Sequence, residues 1–142
     1  MEYIVALVVS ILFFLYWFFE KRNAEIKYKS AFSGRKSISP ETFYEKYFKE
    51  QKIPEHIVYG VKRILEEQLD TDLSKLEAED DFSTNLNFFF ALDSMADVEI
   101  VVALENEFKI NIEDKETEKT HTVRDIVNLV WAKLKNKPNK AL

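Results

Sequence analysis

Hydrophobic and polar positions divide the chain into two unlike parts. From Tyr3 to Phe19 the residues are apolar with only Ser10 clearly polar, and no polar face recurs along the run. As an α-helix rising about 1.5 Å per residue, this run extends roughly 26 Å, close to the hydrocarbon thickness of a bilayer. The pattern predicts a single membrane-spanning helix over residues 1–22, since a core helix of a water-soluble protein would keep a polar stripe. A cleavable export signal would open on positive charge and close on small residues. Here Glu2 is the only charge ahead of the run and bulky Tyr16-Trp17-Phe18-Phe19 ends it, so an uncleaved anchor is expected.

Beyond the anchor, Asn23 to Ser39 lacks periodicity and reads as a linker. Ser39-Pro40-Glu41 has the form of a helix start, with Ser as N-cap and Pro in the first turn. Phe43, Tyr44, Tyr47 and Phe48 follow at helical spacing, predicting a short helix to about Gln51 whose aromatic stripe packs on the domain or at a membrane interface. Pro54 opens a longer amphipathic helix. Its Ile57, Val58, Val61, Ile64, Leu65 and Leu69 are predicted to face inward, with Lys62, Arg63, Glu66 and Glu67 on the other side.

From Asp70 to Leu92 the pattern predicts a long polar loop pinned by Leu73, Leu76, Phe82 and Leu86, and loops of this length in compact domains are often functional. Ser94 stands at the next helix start, in the role of N-cap. Met95, Val98, Val101, Val102 and Phe108 are expected inward, with Asp97, Glu99, Glu105 and Glu107 toward solvent. Ile110 and Ile112 alternate through a connector, and residues 114–119 suit one or two helical turns. Thr122 with Asp125 makes a capping pair for the last helix, where Val123, Ile126, Val127, Val130, Trp131 and Leu134 form one stripe. The expected fold class is all-α: a four-helix bundle of three main helices plus one short, with a long first loop, preceded by a single N-terminal transmembrane helix. The expected organisation is an anchor over 1–22, a basic linker with a short aromatic helix over 23–53, the helical domain over 54–137 and a tail over 138–142.

Charge follows the same division. Residues 1–53 carry a net +3 and residues 54–137 a net −9. An acidic small domain repels nucleic acid and attracts basic docking surfaces. The bases Lys21, Arg22, Lys27, Lys29, Arg35 and Lys36 assign the C-terminal side to the cytoplasm and suit anionic headgroups. The chain has no cysteine, and His56 and His121 are its only imidazoles, so neither a His-based zinc site nor a catalytic triad is expected and each His is read as a surface residue. With Gly34 and Gly60 the only glycines, a nucleotide-binding loop is excluded. Without a credible nucleophile and base, no enzyme is expected, and no metal ligands are assigned.

The stretch Leu92-Asp93-Ser94-Met95-Ala96-Asp97-Val98-Glu99-Ile100-Val101-Val102-Ala103-Leu104-Glu105-Asn106-Glu107-Phe108-Lys109-Ile110-Asn111-Ile112 resembles the acyl carrier protein family. Members typically read Asp-Ser-Leu at the start of the second helix, followed by an acidic segment ending in Glu-Glu-Phe and an Ile-x-Ile connector. Val61-Lys62-Arg63-Ile64-Leu65-Glu66-Glu67-Gln68-Leu69 and Thr122-Val123 are similar to the family as well, so the resemblance covers about Pro54 to Leu134.

The resemblance implies that a phosphopantetheinyl transferase, using coenzyme A and magnesium, attaches 4′-phosphopantetheine covalently to Ser94. The distal thiol then carries an acyl group as a thioester. It also implies that Asp93 helps the transferase hold its metal, and that Met95, Asp97, Glu99, Glu105 and Glu107 meet basic patches on acyl-transferring or synthase enzymes of fatty-acid, lipid or polyketide type. Met95 replaces the usual Leu, a change of apolar shape that docking pockets tolerate. Two features depart from the family pattern: Asn87-Phe88-Phe89-Phe90-Ala91-Leu92 adds about four residues ahead of Asp-Ser and removes a glycine, and an anchor precedes the carrier. The three phenylalanines suit core filling, a groove for an acyl chain, or membrane contact. A membrane-tethered, monomeric acyl carrier is expected; the alternatives are an aminoacyl or peptidyl carrier using the same serine, and a carrier-like scaffold without a prosthetic group.

Overall fold

The computed structural model describes residues 1–92 and 95–138, and its described residues contain helices and no strand. Two compact units result, Met1–Ser33 and Gly34–Leu142.

The first unit is one helix, α1 (Glu2–Ala31), with none of its residues buried. It is long and apolar enough to cross a membrane, by length and composition. Beyond the apolar run, Lys21 Nζ lies 4.2 Å from the Trp17 ring centroid. The helix continues through residues 23–31, where the sequence pattern predicts a linker. Ala24 and the charged residues around it are good helix formers, Glu25 and Lys29 pair at 3.3 Å across one turn, and no glycine or proline interrupts before Gly34 at φ +75°.

The second unit is built on α2 (Pro40–Tyr47), α3 (Glu55–Leu69), α4 (Phe88–Leu92), α5 (Ala96–Phe108), α6 (Asp114–Thr117) and α7 (Val123–Lys135). In α2 the Ser39 hydroxyl accepts from the Thr42 N–H at 3.1 Å, as the Ser-Pro start predicts. A single 3-10 turn, Lys49–Gln51, follows. Phe43 and Phe48 are fully buried with ring centroids 5.8 Å apart, so the aromatic stripe packs on the domain and the segment is part of its core.

Helix α3 packs against both α5 and α7. Its Ile57, Val58, Val61, Ile64 and Leu65 are buried, as the spacing predicts, but so is Lys62, which the pattern assigns to solvent. Its ammonium sits 5.3 Å from the Phe43 ring centroid, because α2 lies over that side of α3. At Gly60 an added Cβ would stand 2.8 Å from Phe108 Cζ, so glycine lets the end of α5 lie against α3.

The loop after α3 buries Leu73, Leu76, Phe82 and Leu86, all expected anchors. Its centre is Asp80, 3% exposed, whose carboxylate accepts from Arg35 at 2.7 and 2.9 Å, from Asn85 at 2.9 Å and from the Glu77 N–H at 2.8 Å. The loop is then stitched to the start of α7: Phe82 N–H donates to His121 O, Val123 N–H to Asp80 O and Arg124 N–H to Ala78 O. Thr122 and Asp125 close the expected capping box. The added residues form α4, a helix where the pattern predicts loop. Phe88 and Phe89 are buried with rings 4.4 Å apart, and Phe90 stands 5.6 Å from Phe82. Core filling is thus their main role.

Candidate functional site

Asp93 and Ser94, the expected attachment pair, lie outside the described residues. What surrounds them in sequence is defined on both sides, by α4 before and α5 after.

Helix α5 begins at Ala96 with Met95 in the N-cap position, one residue beyond the serine that the sequence assigns as cap. Its buried row is Ala96, Ile100 and Leu104, four residues apart. The predicted inward row holds in part: Val101 and Phe108 are half-buried, Val101 on the cavity described below and Phe108 against Gly60, but Met95 is 55% exposed, and Val98 and Val102 are each 48% exposed. Both rows are apolar, so hydropathy alone does not choose between them. Contact with α3, α4 and α7 does. The outcome is an exposed apolar strip, Met95-Val98-Val102, at steps of three and four residues, with exposed Asp97 and Glu99 beside it.

The four acidic docking candidates separate into two pairs. Asp97 and Glu99 project from the first turn of α5 and are exposed. Glu105 is half-buried and accepts from the Ile112 N–H at 2.7 Å, so it fastens the connector after α5 instead of facing solvent freely. Glu107 accepts from Arg63 at 2.7 Å, and Arg63 also reaches Glu67 at 3.2 Å. These bonds, with the one to Glu107 strongest, hold the Arg63 guanidinium above its ordinary value. Sequence spacing places all four acids on the helix but does not reveal that Glu105 and Glu107 are bonded beyond it, while Asp97 accepts only from the neighbouring Val98 N–H at 2.8 Å among the described bonds.

Between α3, α4, α5, α6 and α7 lies an apolar cavity of about 260 Å³. Phe90, Ile100, Leu104, Ile126 and Leu129 supply apolar walls, and Asp97 brings its edge to the first turn of α5. One of the three added phenylalanines, Phe90, therefore lines the cavity while the other two fill core. A shallower depression between α5 and α6 is lined by Val98, Val101, Val102, Asp114 and Glu118. The short α6 carries a Glu113–Glu116 capping box and is tied to α7 by Glu116 and Lys133 at 2.6 Å, a bond that lowers the Glu116 pKa. Both imidazoles, His56 and His121, are exposed. The arrangement offers an apolar chamber and a half-apolar, half-acidic helix face at the start of α5.

No protein-family model matches the chain. Individual proteins do. It is 39% identical over 74 residues to an acyl carrier protein of Thermosynechococcus vestitus, covering 52% of this chain and 86% of the relative. It is 42% identical over 73 residues to an acyl carrier protein of Helicobacter hepaticus, covering 51% of this chain and 91% of the relative. An acyl carrier protein of an Exiguobacterium species is 38% identical over 80 residues, covering 56% and 96% respectively. About half of this chain, then, accounts for most of the length of each relative.

Proposed function

Because the chain belongs to the acyl carrier protein family, we propose that it bears acyl groups as thioesters on 4′-phosphopantetheine attached to Ser94, and that α1 tethers it in a membrane with the carrier half on the cytoplasmic side. Its role is that of a carrier and not a catalyst. The observation that carries this reading is the apolar cavity of about 260 Å³ reaching the first turn of the helix that follows Leu92-Asp93-Ser94-Met95. An acyl chain is apolar and gains free energy on leaving water for such a chamber, at about 0.8 kcal/mol per buried methylene.

When attached, the prosthetic group supplies the thiol that holds the acyl group. The chain's own residues do the rest. Ser94 provides the hydroxyl, and a phosphodiester beside the start of a thirteen-residue helix is favoured by the helix dipole. Asp93 assists the transferase's magnesium. Met95, Asp97 and Glu99, with Val98 and Val102 between them, form the face read by basic partner surfaces, while Glu105 and Glu107 support that face through their bonds to Ile112 and Arg63. Burying Val98 and Val102 against a partner adds contact that charge alone does not supply, and the acids speed encounter. The all-round apolar surface of α1 and the bases that follow it support the tether and its orientation, and they suit partners that act on fatty acyl chains or lipids at the membrane.

Coexpression with a phosphopantetheinyl transferase followed by intact mass measurement tests the chemistry. Wild type is expected to gain one phosphopantetheine and Ser94→Ala none. Wild type that stays bare with several transferases defeats the carrier reading and leaves a scaffold. Mild thioester cleavage of the native protein then distinguishes an acyl from an aminoacyl cargo.

A further inference from the structure

The cavity of about 260 Å³ has a bounded capacity, and one of its walls comes from the stretch of residues 87–92 that departs from the family pattern. Toward the core it is closed by Leu65, Leu104 and Ile126, buried side chains of α3, α5 and α7, so a guest lengthens in that direction only by displacing packed core. On the α4 side the wall is Phe90, whose ring centroid lies 5.6 Å from that of Phe82 with the rings 35° apart. Phe88 and Phe89 are buried, whereas Phe90 is half-buried and lines the chamber, so it alone of the three rings is placed to set the chamber's size. Thr117 and Thr120 line it as well, and their hydroxyls donate to the Asp114 and Glu116 carbonyls at 2.7 Å each. With those donors spent, the chamber suits plain hydrocarbon better than chains bearing keto or amide oxygens, which would be buried without a hydrogen bond.

We propose, resting on the acyl-carrier reading above, that Phe90 is a specificity-determining residue that fits the chamber to unsubstituted acyl chains of medium length, about eight to ten carbons. A six-carbon aromatic ring fits an apolar protein cavity of roughly 150 Å³, or about 25 Å³ per carbon. At that density the chamber of about 260 Å³ holds roughly ten carbons. Each methylene seated favours the sequestered chain about fourfold, so the gain accumulates to that length and then stops. A longer chain leaves carbons in water or drives Phe90 away from Phe82.

The test uses the full chain in phosphatidylcholine nanodiscs, with arm and acyl group loaded together onto Ser94 from acyl-coenzyme A by a phosphopantetheinyl transferase and each load confirmed by intact mass. Hydrogen exchange of residues 100–104 and 126–129 is then followed for straight acyl chains of about six to sixteen carbons. Protection is expected to rise several-fold up to about ten carbons and to gain nothing beyond. Phe90→Ala should carry the rise on to about fourteen carbons, Phe90→Leu to about twelve, and Phe90→Trp should end it at about eight. Should Phe90→Ala unfold, the Leu and Trp variants, which keep an apolar side chain in place, decide the matter. Protection that is absent at every length, that climbs unbroken to the longest chain, or that breaks at the same length in the folded variants overturns the proposal while leaving the carrier intact. A chain that takes no load at Ser94 defeats the carrier reading, and the length limit with it.

Discussion

Helices α5 and α7 are each thirteen residues long and both are rich in valine and isoleucine, yet they dispose of those residues in opposite ways. In α7, Val123, Ile126, Val127 and Val130 are buried, and the N-terminus is held by a capping box and by the loop bonds at Val123 and Arg124. In α5 the buried row is Ala96, Ile100 and Leu104, while Val98 and Val102 stay half in water. The difference teaches that α7 is committed to the fold, whereas α5 leaves apolar surface uncovered, the surface that the proposed function assigns to an external partner. An isolated exposed valine needs no explanation, but a strip beside exposed acids at the end of a cavity does.

The widest separation comes from matched substitutions. Val127→Asp puts an unpaired carboxylate at a position 1% exposed and is expected to cost more than about 4 kcal/mol, enough to abolish a cooperative thermal transition. Val102→Asp, at a position 48% exposed, is expected to stay within about 0.5 kcal/mol of wild type in chemical denaturation. Its effect should appear instead as weaker partner engagement. Equal losses of stability in the two variants would erase the contrast.

Next in size, Asp80→Ala removes the acceptor of four bonds, the two strongest from Arg35, so a loss of about 3 kcal/mol is expected by denaturant melts, with α7 loosening at its start in hydrogen exchange.

The smallest effect is one of pH. Burial pushes the Asp125 carboxyl upward, but the Thr122 and His121 N–H groups and the Thr122 hydroxyl outweigh it, leaving the pKa lowered in the folded protein. A lowered carboxylate pKa gives stability that is full above the unfolded value of about 3.9 and is lost as pH falls through the folded one. The midpoint of thermal unfolding should therefore drop on acidification from about pH 5 downward, and Asp125→Asn should flatten that drop.

Much of this was legible because single-sided patterns have one solution. The stripes of α3 and α7, the Ser39 and Thr122 caps, and the buried Leu73, Leu76, Phe82 and Leu86 all follow from spacing. Helix α5 was not legible in the same way, since it is apolar on more than one face and only its neighbours decide its phase. Lys62 is buried because α2, distant in its own periodicity, covers it. The partners of Glu105 and Glu107 come from Ile112 and Arg63, one across a turn and one on another helix, and no local pattern records either. Phe88-Phe89-Phe90 reads as a departure from a pattern, and its coiling into α4 with Phe88 and Phe89 buried is visible only in the structure.

Arg124 donates to the Tyr47 carbonyl across 77 positions of sequence, and its backbone N–H closes on Ala78. Helix α7 thus closes the core against residues far earlier in the chain, and contacts this distant form late. For the tethered carrier proposed above, α1 can therefore enter a bilayer before the half that follows it has closed on its final packing partner.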